Sequence, residues 1–147
     1  MLTGMTGIAP DLADEAATAA LGAALAPLLR QGDVIALSGP LGAGKTTLAR
    51  GLIAALCGAG ETPSPTFALV ETYDAPGLSL WHFDLYRLER PADAFELGIE
   101  EAFASGASLI EWPERIAAML PADALMIRLD AAGPGRRARL RGGEGWR

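Results

Sequence analysis

Residues Gly39-Pro40-Leu41-Gly42-Ala43-Gly44-Lys45-Thr46-Thr47 fit the spacing G-x-x-x-x-G-K-[ST], which serves phosphate binding. The glycines let the backbone curl so that successive N–H groups converge on a phosphate. Lys45 supplies a point charge for the outer phosphates, Thr46 a hydroxyl for magnesium, and the helix beginning there adds its positive end. Lys45 is also the only lysine among 12 basic residues, every other one being arginine. A compact ammonium therefore stands at the one position where a point charge suits better than a planar fork.

Two carboxylates follow at the ends of apolar runs, Asp84 after Leu78 to Phe83 and Glu111 after Ser108-Leu109-Ile110. If these runs are strands of one parallel sheet, both carboxylates and the loop share an edge, beside a triphosphate and its metal. Magnesium takes oxygen ligands and keeps several waters, so Thr46 plus one carboxylate suffices; spacing alone leaves open which carboxylate. A hydrolase must also hold a water in line with the γ-phosphate, and the only glutamine is Gln31, ahead of the first strand. Asp84 is the first choice for that role, with Thr66 or a partner's residue as alternatives. His82 should share a sheet face with Asp84 by alternation, either bonding phosphate or carboxylate or holding the following loop. Trp112 is a core lid or a contact for a base or partner, and Arg87 meets phosphate or pairs with Glu89 or Glu96. The chain has no asparagine, so the Asn-Lys-x-Asp reader of guanine is missing and adenine is the better base.

The elements that must position these groups are legible in outline. Val34 to Leu37 is a short apolar run suited to a buried parallel strand. After the loop, Leu48, Leu52, Ile53 and Leu56 recur at helical spacing until Gly58 and Gly60. Asp11 to Glu15 caps a helix running to about Leu29. Thr62-Pro63-Ser64-Pro65-Thr66 must be a stiff loop. Phe67 to Tyr73 and Leu78 to Phe83 flank a turn at Asp74-Ala75-Pro76-Gly77. Helical stretches open at Pro91 and break at Gly98, another runs to Leu120, and a strand from Ala124 to Leu129 leads to a hairpin near Gly133-Pro134-Gly135. This alternation predicts an α/β fold, a three-layer phosphate-loop NTPase architecture with a mostly parallel central sheet flanked by helices. At 147 residues one domain is expected over 1–147, with 1–10 and 142–147 as flexible ends.

Composition narrows the classes of function. No apolar run reaches the ~18 residues of a membrane span, and the first basic residue is Arg30. A cytoplasmic location without membrane attachment is expected. Cys57 is the only cysteine, which excludes an internal disulfide and reads as a small buried hydrophobe. Residues 1–130 carry 7 basic and 17 acidic side chains, whereas 131–147 carry 5 arginines and Glu144. Such an acidic body repels phosphate backbones, so DNA is not an expected partner. The arginine-rich end is a solvated hairpin and tail or a contact for RNA or an acidic partner.

Taken together, the loop, Ser64-Pro65-Thr66-Phe67, Leu69-Val70-Glu71, His82-Phe83-Asp84-Leu85-Tyr86-Arg87-Leu88 and Glu111-Trp112-Pro113-Glu114 resemble the TsaE (YjeE) family in order and spacing. The resemblance runs from about residue 11 to 141. It implies an ATPase of tRNA threonylcarbamoyladenosine biosynthesis that binds TsaB and TsaD and meets tRNA only through that complex. It further implies that Gly42, Ala43, Gly44, Lys45, Thr46 and Thr47 bind the phosphates of ATP. Thr46 and Glu111 would ligate Mg2+, and Glu15 and Thr18 would lie near the nucleoside. Asp84 matches the family's acidic residue beside the loop, so Lys45, Asp84 and Glu111 form the expected catalytic set. Ser64-Pro65-Thr66 looks like a switch segment. The chain departs from the family at Pro40, where an acidic residue is common. A small-molecule kinase and a module that holds ATP without hydrolysing it are the alternatives.

Overall fold

In the computed structural model, which describes residues 10–40, 42–58 and 69–142, the apolar run after Gly32-Asp33 lies at the centre of the molecule. Val34–Ser38 pairs on both sides with parallel strands and is buried along nearly its whole length. Numbered in chain order, the strands are β1 (Asp11–Leu12), β2 (Val34–Ser38), β3 (Val70–Ala75), β4 (Leu78–Asp84), β5 (Ala107–Glu111), β6 (Leu125–Ala132) and β7 (Gly135–Gly142). They form one sheet in the order β1-β7-β6-β2-β5-β4-β3. The four central strands, β6, β2, β5 and β4, run parallel. Each flank of the sheet carries an antiparallel hairpin, turning at Pro76-Gly77 and at Gly133-Pro134, and β1 adds an outermost antiparallel strand beside β7.

Alternation along the central strands feeds two cores, which makes the three layers. Ile35 and Leu37 of β2 and Leu109 of β5 face α1 (Glu15–Leu25) and α2 (Lys45–Cys57), where Leu25, Leu48, Leu52 and Ile53 are buried. Val34, Phe83 and Ile110 face the other way, against α3 (Ile99–Ser105), the 3-10 stretch Pro91–Leu97 and Ile116. Helices α1 and α2 cross at glycines. A Cβ on Gly22 would collide with the Leu48 carbonyl, and one on Gly51 with that of Ala19. This close approach sets the first turn of α1 beside the phosphate loop.

The first helix begins at Glu15, within the expected capping stretch, where Asp14 is extended (φ −153°) and its side chain accepts from the Ala17 N–H at 2.8 Å. Asp11 and Leu12 instead pair with Arg137 and Arg136 of β7 as a short edge strand. The same helix ends at Leu25, four residues early, since Pro27 lacks the N–H that would continue it, and Ala26–Leu28 tightens into a 3-10 turn. The stretches opened by Pro91 and Pro113 are 3-10 rather than α-helical. The stiff loop at Thr62 to Thr66, the start of the third strand at Phe67, Gly60 and the chain ends 1–9 and 143–147 lie outside the described residues. Among the described residues no helix is long and apolar enough to cross a membrane.

Candidate functional site

The pairing registers settle which strand ends meet. Leu37 of β2 and Asp84 of β4 are both partners of Glu111 of β5, so the phosphate loop and both carboxylates emerge at one sheet edge. That edge, the topological switch of the sheet, holds a cavity of about 380 Å³. Its walls include Gly42, Gly44, Lys45, Thr46 and Thr47 from the loop, and Asp84, Glu111 and Trp112 from the strand ends. Glu15 and Thr18 reach it from α1, where Thr18 is buried with its methyl group 3.4 Å from a Cβ built on Gly44.

The loop conformation follows from its glycines. Gly39 at φ 132° could carry no Cβ without striking the Leu129 carbonyl of β6, and Gly44 at φ 102° turns the chain into α2. Ala43 is buried in the loop wall rather than on the cavity surface, with its N–H donating to the Pro40 carbonyl at 3.1 Å. The Lys45 ammonium folds back over the loop, donating to the carbonyls of Gly39 at 2.7 Å and Pro40 at 2.9 Å. It also lies 4.1 Å from the centre of the Trp112 ring. Burial pushes its pKa down, while Glu111, Glu114 and Asp84 pull it back up.

Trp112 is the end of β5 bent into the left-handed region (φ 62°), a costly conformation for a bulky residue. The bend, held by the Trp112 N–H donating to Leu37 O at 3.2 Å, turns the indole towards Lys45 and the Tyr86 ring, whose centre lies 4.9 Å away. Trp112 is thus a half-buried wall of the cavity that also packs against the second core, as a core lid would.

Glu111 is the hub of the edge and is almost wholly buried. One carboxylate oxygen accepts from the Thr46 hydroxyl at 3.1 Å, and the other lies 2.7 Å from His82 Nε2. Nε2 must carry a hydrogen, since otherwise two lone pairs would face each other at that distance. His82 Nδ1 is fully buried and has no partner among the described residues. Of the roles open to it in the sequence, His82 takes that of bonding the carboxylate. A hydroxyl and a carboxylate facing each other make a hard-oxygen pair that fits magnesium, which takes its remaining ligands from phosphate and water. Among the described residues there is no cluster of three or more His, Cys, Asp or Glu that could hold a metal ion.

Asp84 is half-buried beside Glu111 and accepts from the Tyr86 N–H at 3.2 Å. Burial and then the Glu111 charge push its pKa up, against the Tyr86 N–H, His82 and Lys45. A carboxyl raised in the folded state favours folding while protonated and loses that advantage as pH rises through its folded pKa. Asp84→Asn, which keeps the acceptor for Tyr86, should therefore melt above wild type at pH 7 in metal-free buffer. The gap should close as the pH is lowered into the acid range, and thermal unfolding followed across pH measures it.

Arg136 is the residue that sequence reading passed over. It crosses from β7 to the loop, donating through Nε to Ala43 O at 3.1 Å and through an Nη to Gly42 O at 3.0 Å. Its other Nη donates to Gly135 O at 3.0 Å. The signal was available, because alternation puts Arg136 on the face of the buried Ala138 and Leu140, opposite the exposed Arg137, Arg139 and Arg141. Arg87 is exposed and lies outside the cavity walls, and Cys57 packs half-buried against the helical core with its thiol pKa pushed up by burial and Asp74.

Comparison with known proteins gives the family and supports the fold. Residues 12–139 match the model of the family described as threonylcarbamoyl adenosine biosynthesis protein TsaE. A tRNA threonylcarbamoyladenosine biosynthesis protein TsaE of Rickettsia conorii is 41% identical over 121 residues, 82% of this chain and 69% of that one. The protein of the same name from Bacillus subtilis is 37% identical over 121 residues, 82% of this chain and 75% of its own. Among solved structures, that of Bacillus subtilis YdiB superposes with a TM-score of 0.79 at 28% identity, covering 96% of this chain and 89% of the other. The chain belongs to the TsaE family of tRNA threonylcarbamoyladenosine biosynthesis proteins.

Proposed function

We propose that this protein binds ATP with Mg2+ and hydrolyses it as the nucleotide-driven component of a cytoplasmic assembly with TsaB and TsaD, meeting tRNA only through that assembly. The observation that carries the proposal is the convergence of Lys45, Thr46, Asp84 and Glu111 on one cavity of a size suited to a nucleotide. In this reading the loop amides of Gly42 and of Gly44 to Thr47 cradle the phosphates and Lys45 meets the outer ones, while the Ala43 N–H, expected among them, is held by the Pro40 carbonyl. Glu15 and Thr18 lie beside the nucleoside. Thr46 and Glu111 would hold the metal, which when bound would neutralise charge that develops in the transition state. Asp84, its pKa raised towards that of a working base, accepts a hydrogen bond from the attacking water and holds it in line. His82 keeps Glu111 turned to Thr46, and Trp112 and Tyr86 screen the reacting end from bulk water.

Phosphate release from ATP, measured with and without magnesium and with TsaB and TsaD added, tests the reading. Magnesium-dependent release to water that is slow alone and rises with the partners is the expected result. No release above the protein-free control with both partners present, or transfer of the phosphoryl group to a nucleoside or metabolite, would overturn it.

A further inference from the structure

We propose that Arg136, whose side chain lines the cavity, is a positioning residue that clamps the phosphate loop in its binding shape through main-chain carbonyls, without being a ligand of the nucleotide. The inference rests on the nucleotide-binding reading above. Three donors of one guanidinium are spent on three main-chain carbonyls, Gly42, Ala43 and Gly135, at 3.0 to 3.1 Å. A rigid planar fork can meet several acceptors at fixed angles in a way a lysine ammonium cannot. In a trans peptide the N–H points opposite the C=O, so anchoring a carbonyl aims the next amide away from the anchor. With the Gly42 carbonyl on Arg136, the Ala43 N–H is directed to the Pro40 carbonyl, where it is found at 3.1 Å. With the Ala43 carbonyl on Arg136, the Gly44 N–H turns away from the guanidinium.

The loop needs such a clamp. Gly42 and Gly44 both sit at positive φ, 79° and 102°, and glycine gives up more conformational freedom than any other residue on being fixed. Lys45 ties down the first half of the loop through Gly39 and Pro40, and Arg136 the second half through Gly42 and Ala43. Because Arg136 follows the Gly133-Pro134 turn, the terminal hairpin acts as the arm that carries the clamp.

The test compares Arg136→Met and Arg136→Lys with Arg137→Met, which removes the same charge from the next position on β7, where the side chain is exposed and pairs with Asp11. Two measurements are made: amide hydrogen exchange of the nucleotide-free protein, and ATP affinity in magnesium by calorimetry. Both Arg136 variants should exchange the Ala43 and Gly44 amides faster while the sheet amides are unchanged. Both should bind ATP about tenfold or more weakly than wild type, and Arg137→Met should do neither. Unchanged exchange in the loop would overturn the clamp. So would normal ATP affinity in a variant whose loop exchanges faster, or recovery of affinity by Arg136→Lys, which would assign the role to charge alone. If wild type itself fails to bind ATP, the nucleotide reading fails while the exchange data still decide the clamp.

Discussion

Lys45→Ala is expected to abolish ATP binding in a protein that remains folded. The ammonium is buried to 4% exposure and has three donors, of which two are committed to the Gly39 and Pro40 carbonyls. The third is left for a phosphate oxygen, so nucleotide can be gripped without dismantling the loop. Removing one partner of a desolvated, hydrogen-bonded charge pair costs about 2–5 kcal/mol, or roughly thirtyfold to several thousandfold in affinity. Nor is there a substitute, because no other lysine exists in the chain and Arg136, the arginine lining the cavity, is spent on carbonyls. Lys45→Arg should fare little better. Its planar fork would have to fit between two carbonyls and an indole 4.1 Å away, a space shaped for a compact ammonium. Calorimetry with ATP, set beside a melting curve showing retained structure, measures the effect.

The second large effect is expected at Glu111. Glu111→Gln should leave metal-free nucleotide binding close to wild type yet lose most magnesium-dependent hydrolysis, by about 10²-fold or more, as expected when a metal-holding charge is removed. The amide keeps the size and one acceptor for Thr46, but it cannot offer a metal the negative oxygen that His82 now orients. Stability should not fall with activity. The carboxylate is almost wholly buried and adjoins Asp84, so removing its charge relieves a repulsion. His82→Ala would behave differently, because it leaves the Glu111 charge buried with one oxygen unpartnered, and should lower both stability and metal affinity. Phosphate release, metal titration of the nucleotide complex and thermal melting together separate these outcomes.

Much of this site is legible in the sequence. The loop spacing, the strand that feeds it and the helix that leaves it follow from local chemistry: glycine at positive φ, a buried apolar run and a 3.6-residue repeat. That Asp84 and Glu111 share an edge also followed, since parallel strands put their carboxyl ends together, and the register makes them direct neighbours. What could not be read depends on contacts between distant segments. The strand at Asp11-Leu12 exists because β7 offers an edge to pair with, and nothing in two residues announces that. The 3-10 form of Pro91–Leu97 and Pro113–Met119 reflects short segments fitted over the sheet, where proline permits either helix type at its first turn. Choosing between the roles open to His82 required the distance to Glu111. Arg136 was lost among five arginines of the carboxyl-terminal segment, although strand alternation marked it as the one facing inward.

The terminal hairpin gains a function from this arrangement. Sequence composition presents it as a basic appendage on an acidic body, yet its first arginine reaches 93 positions back to brace the loop. Its outer arginines are partly neutralised, Arg137 by Asp11 at 2.8 Å and Arg139 by Asp130 at 3.0 Å.

The central claim is that the lone ammonium, the loop amides and the Thr46–Glu111 oxygen pair together receive one metal-bound triphosphate. A crystal structure of the protein with ATP and magnesium tests it most directly. The account predicts Lys45 Nζ on the outer phosphates, the ion within about 2.1 Å of Thr46 Oγ1 and a Glu111 oxygen, and Asp84 within reach of the attacking water. A triphosphate bound elsewhere, or an ion distant from Glu111, would contradict it.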